Sequence, residues 1–209
     1  MMGAGALLLL GFVCLCSSAV TAEEEASEAY ATPAFCRHYE CPKYKTVKQY
    51  ETFEKRLYEQ SRWVTTQLEL DFFGLGIYKS FRRLFDYING QNSEGITIKM
   101  AVPVRIYVPL INPSDKNATM SFFVPSTLST PPQPLRADVY LENIPPMYVY
   151  VKSFGGFAVK SDFEKKSKFL SEELNGLRLP FDDTFGAAAA YNDPLTLFNR
   201  HNEVWYNAL

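Results

Sequence analysis

Apolar and polar positions alternate with a period of two in several stretches of this chain, and in two places the period lengthens to three or four. The short period marks a strand with one buried face, and the longer one marks an amphipathic helix. After a start near Tyr44, Arg56 to Tyr58 and Arg62 to Leu70 read as strands, the second rich in Trp, Val and Thr. From Phe72 to Ile88 the apolar residues Phe73, Ile77, Phe81, Leu84, Phe85 and Ile88 recur at helical spacing, and Asn89-Gly90 supplies a stop. Ile96, Ile98, Met100, Val102, Val104, Ile106 and Val108 then alternate strictly, which predicts one long strand with an edge or bulge at Pro103. A shorter strand, Met120 to Val124, runs into a connection containing Pro125, Pro131, Pro132 and Pro134.

The second half repeats this order. Asp138 to Glu142 and Met147 to Phe154 read as strands, followed by the turn Gly155-Gly156. A helix comes next, with Ser161 as N-cap, Glu164 three residues on, a buried stripe of Phe163, Leu170 and Leu174, and a stop at Asn175-Gly176. Phe185 to Tyr191 and Glu203 to Tyr206 complete the set of strands. Two strand-strand-helix-strand-strand halves imply an internal duplication. The class is α+β, with the sheet curled towards a barrel and both helices on its outside.

The N-terminus changes the setting. Residues from Leu7 to Leu15 form a short uncharged apolar run, and Val20 and Ala22 occupy the positions a signal peptidase reads. The expectation is a signal peptide over 1–22, leaving Glu23 first in a secreted, extracellular protein. The run is short of the roughly 20 apolar residues that a membrane-spanning helix needs, so no membrane span is expected. Residues 23 to 34 are acidic, Ala-rich and aperiodic, and read as a flexible leader. With a small disulfide loop the leader covers 23–42, and one folded domain covers 43–209.

Cleavage removes Cys14 and Cys16, so Cys36 and Cys41 are expected to pair in an oxidising compartment. The alternative, Cys36, His38 and Cys41 as metal ligands, needs a fourth ligand, and the chain has only one other His, His201. Asn117-Ala118-Thr119 is an N-glycosylation sequon in a polar stretch. Formal charge is -2, from 21 basic and 23 acidic residues. That balance lacks the basic excess of a nucleic-acid binder.

Catalytic signatures are sparse. The chain has no Gly-x-Ser-x-Gly elbow, no His-Glu-x-x-His and no phosphate-cradling loop. Gly74-Leu75-Gly76 lacks the third glycine of a nucleotide fingerprint, and Asp182-Asp183, between Pro180 and Gly186, reads as a turn. The expectation is a binding protein and not an enzyme. The first helix is the candidate site. Its apolar residues Ile77, Phe81, Leu84 and Phe85 are bordered by Lys79, Arg82 and Arg83, a pattern that suits a flat apolar ligand carrying carboxylates. An ordinary amphipathic helix with solvated charges reads the same way.

Several segments in order and spacing resemble a known family. These are Lys55-Arg56-Leu57-Tyr58, Trp63-Val64-Thr65-Thr66, Tyr87-Ile88-Asn89-Gly90-Gln91-Asn92, Ile98-Lys99-Met100-Ala101-Val102-Pro103-Val104, Gly155-Gly156 and Asn202-Glu203-Val204-Trp205. Together they resemble the SOUL family of haem-binding proteins, from about Lys43 to Tyr206. The resemblance implies a distorted antiparallel β-barrel with two flanking helices, built from two similar halves. It also implies non-catalytic binding of haem or a related porphyrin beside the first helix, against Ile77, Tyr78, Phe81, Leu84 and Phe85. Two positions depart from the pattern: Leu57 stands where some members place a His considered an iron ligand, and Thr196 where others carry a Lys. His201 and Tyr78 are the substitutes as axial ligand, since both residue types ligate haem iron. The alternative function is an extracellular interaction protein that keeps the barrel as a scaffold for a protein partner.

Overall fold

The computed structural model describes residues 29–69, 75–111, 118–193 and 195–209. The expected signal peptide at 1–22, the start of the leader, the sequon residue Asn117, and Phe72 to Gly74 lie outside the described residues. Among the described residues, nine strands make a single curled antiparallel sheet: β1 (Tyr44–Gln49), β2 (Glu54–Tyr58), β3 (Ser61–Gln67), β4 (Val104–Pro109), β5 (Thr119–Phe123), β6 (Val139–Ile144), β7 (Met147–Phe154), β8 (Phe185–Ala190) and β9 (Asn202–Asn207). Two helices, α1 (Leu75–Ile88) and α2 (Lys160–Gly176), follow β3 and β7.

The strand order, β1-β2-β7-β9-β8-β4-β5-β3-β6, shows the duplication directly. Three strands of the first half, β4-β5-β3, lie beside their counterparts β8-β9-β7, with β4 against β8 at the centre. Each half's remaining strand is exchanged: β2 pairs with β7 of the second half, and β6 with β3 of the first. The helices obey the same pseudo-symmetry, α1 packing on β3 and β5 and α2 on β7 and β9.

Alternation along the strands divides the core into three. Tyr58, Trp63, Phe123, Val149, Val151, Ala187, Ala189 and Trp205 fill the inside of the curl. The opposite faces of the same strands bury Val64, Met120 and Phe122 against Leu84, Tyr87 and Ile88 of α1, and Tyr150, Val204 and Tyr206 against Leu170 and Leu174 of α2. Cys36 and Cys41 are joined, with Cα atoms 6.3 Å apart, and both lie within the inner cluster. The short 3-10 turn Ala34–Cys36 thereby carries Phe35 onto the barrel, where its ring stacks on His201 with centroids 3.7 Å apart.

Two expectations need correction. The strict alternation from Ile96 to Val108 is not one strand: only Val104–Pro109 joins the sheet. Its first part is satisfied piecemeal, with Ile98 N–H donating to Ile88 O and Val102 N–H to Glu40 O, before Pro103, which has no N–H to offer a ladder. Second, Ser161 is not the N-cap of α2. Val159 occupies that position, and its own N–H donates to the Asp162 carboxylate at 2.9 Å. The expected stop of α2 agrees with the structure: the helix ends at Gly176, and the chain turns at Arg178, which takes φ 56° while Leu179 N–H reaches back to Leu174 O. Asp182 does hold a bend, accepting from Thr184 N–H at 2.9 Å.

Candidate functional site

The buried side of α1 consists of Gly76, Ser80, Leu84, Tyr87 and Ile88. Gly76 is required by close approach: a Cβ there would sit 1.7 Å from Glu69 O. Ser80 Oγ donates to Gln67 O at 3.1 Å, and Tyr87 Oη donates to Pro132 O at 2.9 Å. Asn92 closes the C-terminal end, its amide donating to Tyr87 O and Ile96 O. These contacts fix the rotation of the helix about its axis.

That rotation leaves an apolar ridge uncovered. Ile77, Phe81 and Phe85 are four residues apart and so line up along the helix. Ile77 and Phe85 are exposed and Phe81 is half-buried, its ring stacked on Phe85 (5.8 Å) and edge-on to buried Phe122 (5.1 Å). Tyr78, beside the ridge, is 65% exposed. Leu84 does not belong to this surface: it is 0% exposed and packs in the core under the helix.

The three cations separate. Arg82 borders Tyr78 on the solvent side and pairs with Asp86 at 3.1 Å, while Lys79 lies 4.0 Å from Glu69. Arg83 faces the sheet, donating to Asp138 at 3.1 Å and to Gln67 O at 3.4 Å, so it is a structural anchor with little freedom to meet a ligand. Arg136 and Arg83 together hold the Asp138 carboxyl down to about 2.

Alternate residues of β4 extend the ridge. Because α1 packs chiefly on β3 and β5 and α2 on β7 and β9, the outer face of the two central strands lies between the helices. That face, a floor between the helices, presents Val104, Ile106 and Val108, half-buried and packed against the same buried cluster as Phe81 and Met100, with Ala190 and Ala188 of β8 opposite Val104 and Ile106. These floor residues went unassigned as site residues in the sequence. The signal was present in the alternation of Val104, Ile106 and Val108, but which strand faces go uncovered depends on the sheet order.

His201 is placed elsewhere. It precedes β9, its Nε2 lies 2.6 Å from Glu203 Oε1, and its ring is stacked beneath Phe35. It is therefore committed to the interior of the curl and does not join the α1 surface. Glu203 is the hub there: fully buried, it also accepts from Arg56 at 2.9 Å, Tyr191 Oη at 2.8 Å and Trp205 Nε1 at 2.8 Å. Burial pushes its carboxyl up, but the Arg56 charge and the His201 and Trp205 hydrogen bonds prevail, and it is held at about 2. Asn202 meanwhile donates to Gly156 O at 3.0 Å, so the Asn202-Glu203-Val204-Trp205 motif is wired to both Arg56 and Gly155-Gly156. Leu57, on β2, and Thr196, bonded to Asp193 at 2.8 Å, likewise stand away from α1. Among the described residues, no group of three or more His, Cys, Asp or Glu side chains could hold a metal ion.

Comparison with known proteins places this architecture. Heme-binding protein 2 of Homo sapiens is 35% identical over 88% of this chain and 89% of its own length. Heme-binding protein 1 of Sus scrofa is 27% identical over 77% of this chain and 86% of its own. Among solved structures, a hydrolase from Listeria innocua superposes with a TM-score of 0.50 at 8% identity, over 78% of this chain and 94% of its own, which is a likeness of fold alone. The family model described as SOUL heme-binding protein matches residues 39–207, and this chain belongs to that family.

Proposed function

We propose that this protein is a non-enzymatic binder of haem or a related tetrapyrrole, acting as an exported carrier or scavenger. The observation that carries the reading is the uncovered ridge Ile77-Phe81-Phe85 beside the half-buried outer face of β4. A flat apolar ring laid there removes water from aromatic faces that the fold leaves wet. The residues present fit such a group: Arg82 and Lys79 stand on the solvent side for its carboxylates, and Tyr78 offers a phenol oxygen. When bound, the iron of haem would accept one such oxygen donor. Affinity rests on apolar contact, so haemin and metal-free protoporphyrin should bind with similar strength.

Titration of the secreted protein with haemin, followed at the Soret band, is the direct test. Phe81→Asp and Phe85→Asp should each weaken both ligands at least about tenfold, since a carboxylate on the contact face must be desolvated. Lys79→Glu with Arg82→Glu should weaken both more at low salt than at high. His201→Ala should leave protoporphyrin and haemin affinities together. Unchanged binding by folded Phe81→Asp and Phe85→Asp would remove the α1 surface from consideration and leave the barrel as a scaffold for a protein partner.

A further inference from the structure

The sheet has two edges, and β1 forms one of them. Its outer side already takes one residue of the segment that precedes it. Ala31 and Tyr44 exchange both backbone hydrogen bonds, Ala31 N–H to Tyr44 O at 3.1 Å and Tyr44 N–H to Ala31 O at 3.3 Å. Tyr30 continues along the strand, with Lys45 Nζ 5.4 Å from its ring centroid. Further on, Val47, Lys48 and Gln49 of β1 are exposed. A strand edge of this kind offers a row of N–H and C=O groups to any extended chain.

Charge identifies the occupant. Lys43, Lys45 and Lys48 line this edge, with Lys55 of β2 opposite Lys48. Among the described residues none of the four has a carboxylate partner. Lys45 and Lys48 rest on the rings of Tyr30 and Tyr50, and Lys55 on those of Tyr148 and Tyr150. Nearby carboxylates do not cancel them: Glu54 is held by Arg56 and Thr46, while Glu51 and Glu59 lie at the two ends of the β1–β2 hairpin. Ahead of Ala29 the sequence reads Glu23-Glu24-Glu25-Ala26-Ser27-Glu28, four carboxylates and no cation. This segment has the opposite sign, is tethered next to the Ala31–Tyr44 bridge, and arrives in the antiparallel direction. At about 3.3 Å per residue, six extended residues span roughly 20 Å, enough to run past the rest of β1.

We infer that residues 23–28 dock on the lysine-lined edge of β1 as a further antiparallel strand, a guard within the same chain that keeps this edge from pairing with another. In the register set by Ala31 and Tyr44, Ala29 faces Thr46, so that Thr46 N–H donates to Ala29 O and Ala29 N–H to Thr46 O. Lys45 N–H is turned the other way, to Leu57 of β2. Exposed ion pairs are individually weak, and it is the ladder of backbone bonds that makes four of them act together. The contact uses no residue of α1 and is independent of ring binding there.

Hydrogen exchange of the secreted protein, resolved by residue, is the test. The Thr46 amide should exchange at least about tenfold more slowly than in two variants of the whole chain. One combines Glu23→Lys, Glu24→Lys, Glu25→Lys and Glu28→Lys, which turns attraction into repulsion. The other is Ala29→Pro, which removes the donor to Thr46 O. The Lys45 amide should be equally slow in all three proteins, showing that the β1–β2 pairing is intact. In 1 M salt, where charges are screened beyond about 3 Å, exchange at Thr46 of wild type should approach that of the charge-reversed variant. Thr46 exchanging at the unprotected rate in wild type, protection unchanged in either variant, or indifference to salt would each overturn the proposal. So would protection that grows with protein concentration, which would place the leader of a second copy on this edge.

Discussion

Glu203 gathers donors from Arg56, Tyr191, Trp205 and His201 in the interior of the curl. Glu203→Ala leaves the buried Arg56 guanidinium with Glu54 as its remaining carboxylate partner, and should destabilise the fold by about 3–5 kcal/mol in urea unfolding. The pH dependence has a definite sign. The folded carboxyl is depressed from 4.5 to about 2. Its contribution is therefore complete above about pH 4.5 and is lost as pH falls towards 2. Stability measured across that window should fall more steeply for wild type than for Glu203→Ala. The residues of this hub are visible in the sequence as motif members, but not as partners. Arg56 and Glu203 are 147 residues apart, and only the adjacency of β2, β7 and β9 brings them together. Leu84 shows the opposite limit. Helical spacing groups it with Phe81 and Phe85, yet spacing cannot locate the boundary between buried and exposed apolar positions, which Gly76, Ser80 and Tyr87 set by their contacts.

At the scale of elements, α1 and α2 were legible because their apolar residues repeat over three or more turns. The stretch from Ile96 to Pro103 was not, because alternating burial records which side chains face inwards but not what the backbone pairs with. Ile98 and Val102 are buried, but they reach Ile88 and Glu40 and not a neighbouring strand. The segment before β1 holds a second lesson. The pairing of Cys36 with Cys41 follows from their number, but their burial does not. In the structure they lie at 1% and 2% exposure, with Phe35 against His201 and Tyr191. A short closed loop contributes about 2 kcal/mol by limiting the unfolded chain. Cys36→Ala with Cys41→Ala should cost at least that much in thermal unfolding, because the voids in the inner cluster add to the lost cross-link. A variant as stable as the oxidised protein would show that the loop merely rests on the barrel.

For the molecule as a whole, the duplicated order of elements was readable, since each half repeats the same succession of periods. The exchange of β2 and β6 was not, because a strand's pattern says which face is buried and never which neighbour it joins. That exchange gives each half its outer strand from the other: β7 is flanked by β2, and β3 by β6. Cutting the chain in the Pro-rich connection between Phe123 and Val139 should yield two pieces that neither fold nor unfold cooperatively alone, yet regain a single urea transition when mixed. Independent folding of either piece would contradict this. The same arrangement suits a symmetric dimer: two copies of a half-length chain that traded their first strands would build eight of these nine strands, all but β1. Joining such copies in one chain would free each half to differ, as these do: one carries a bare helix ridge and the other a buried carboxylate.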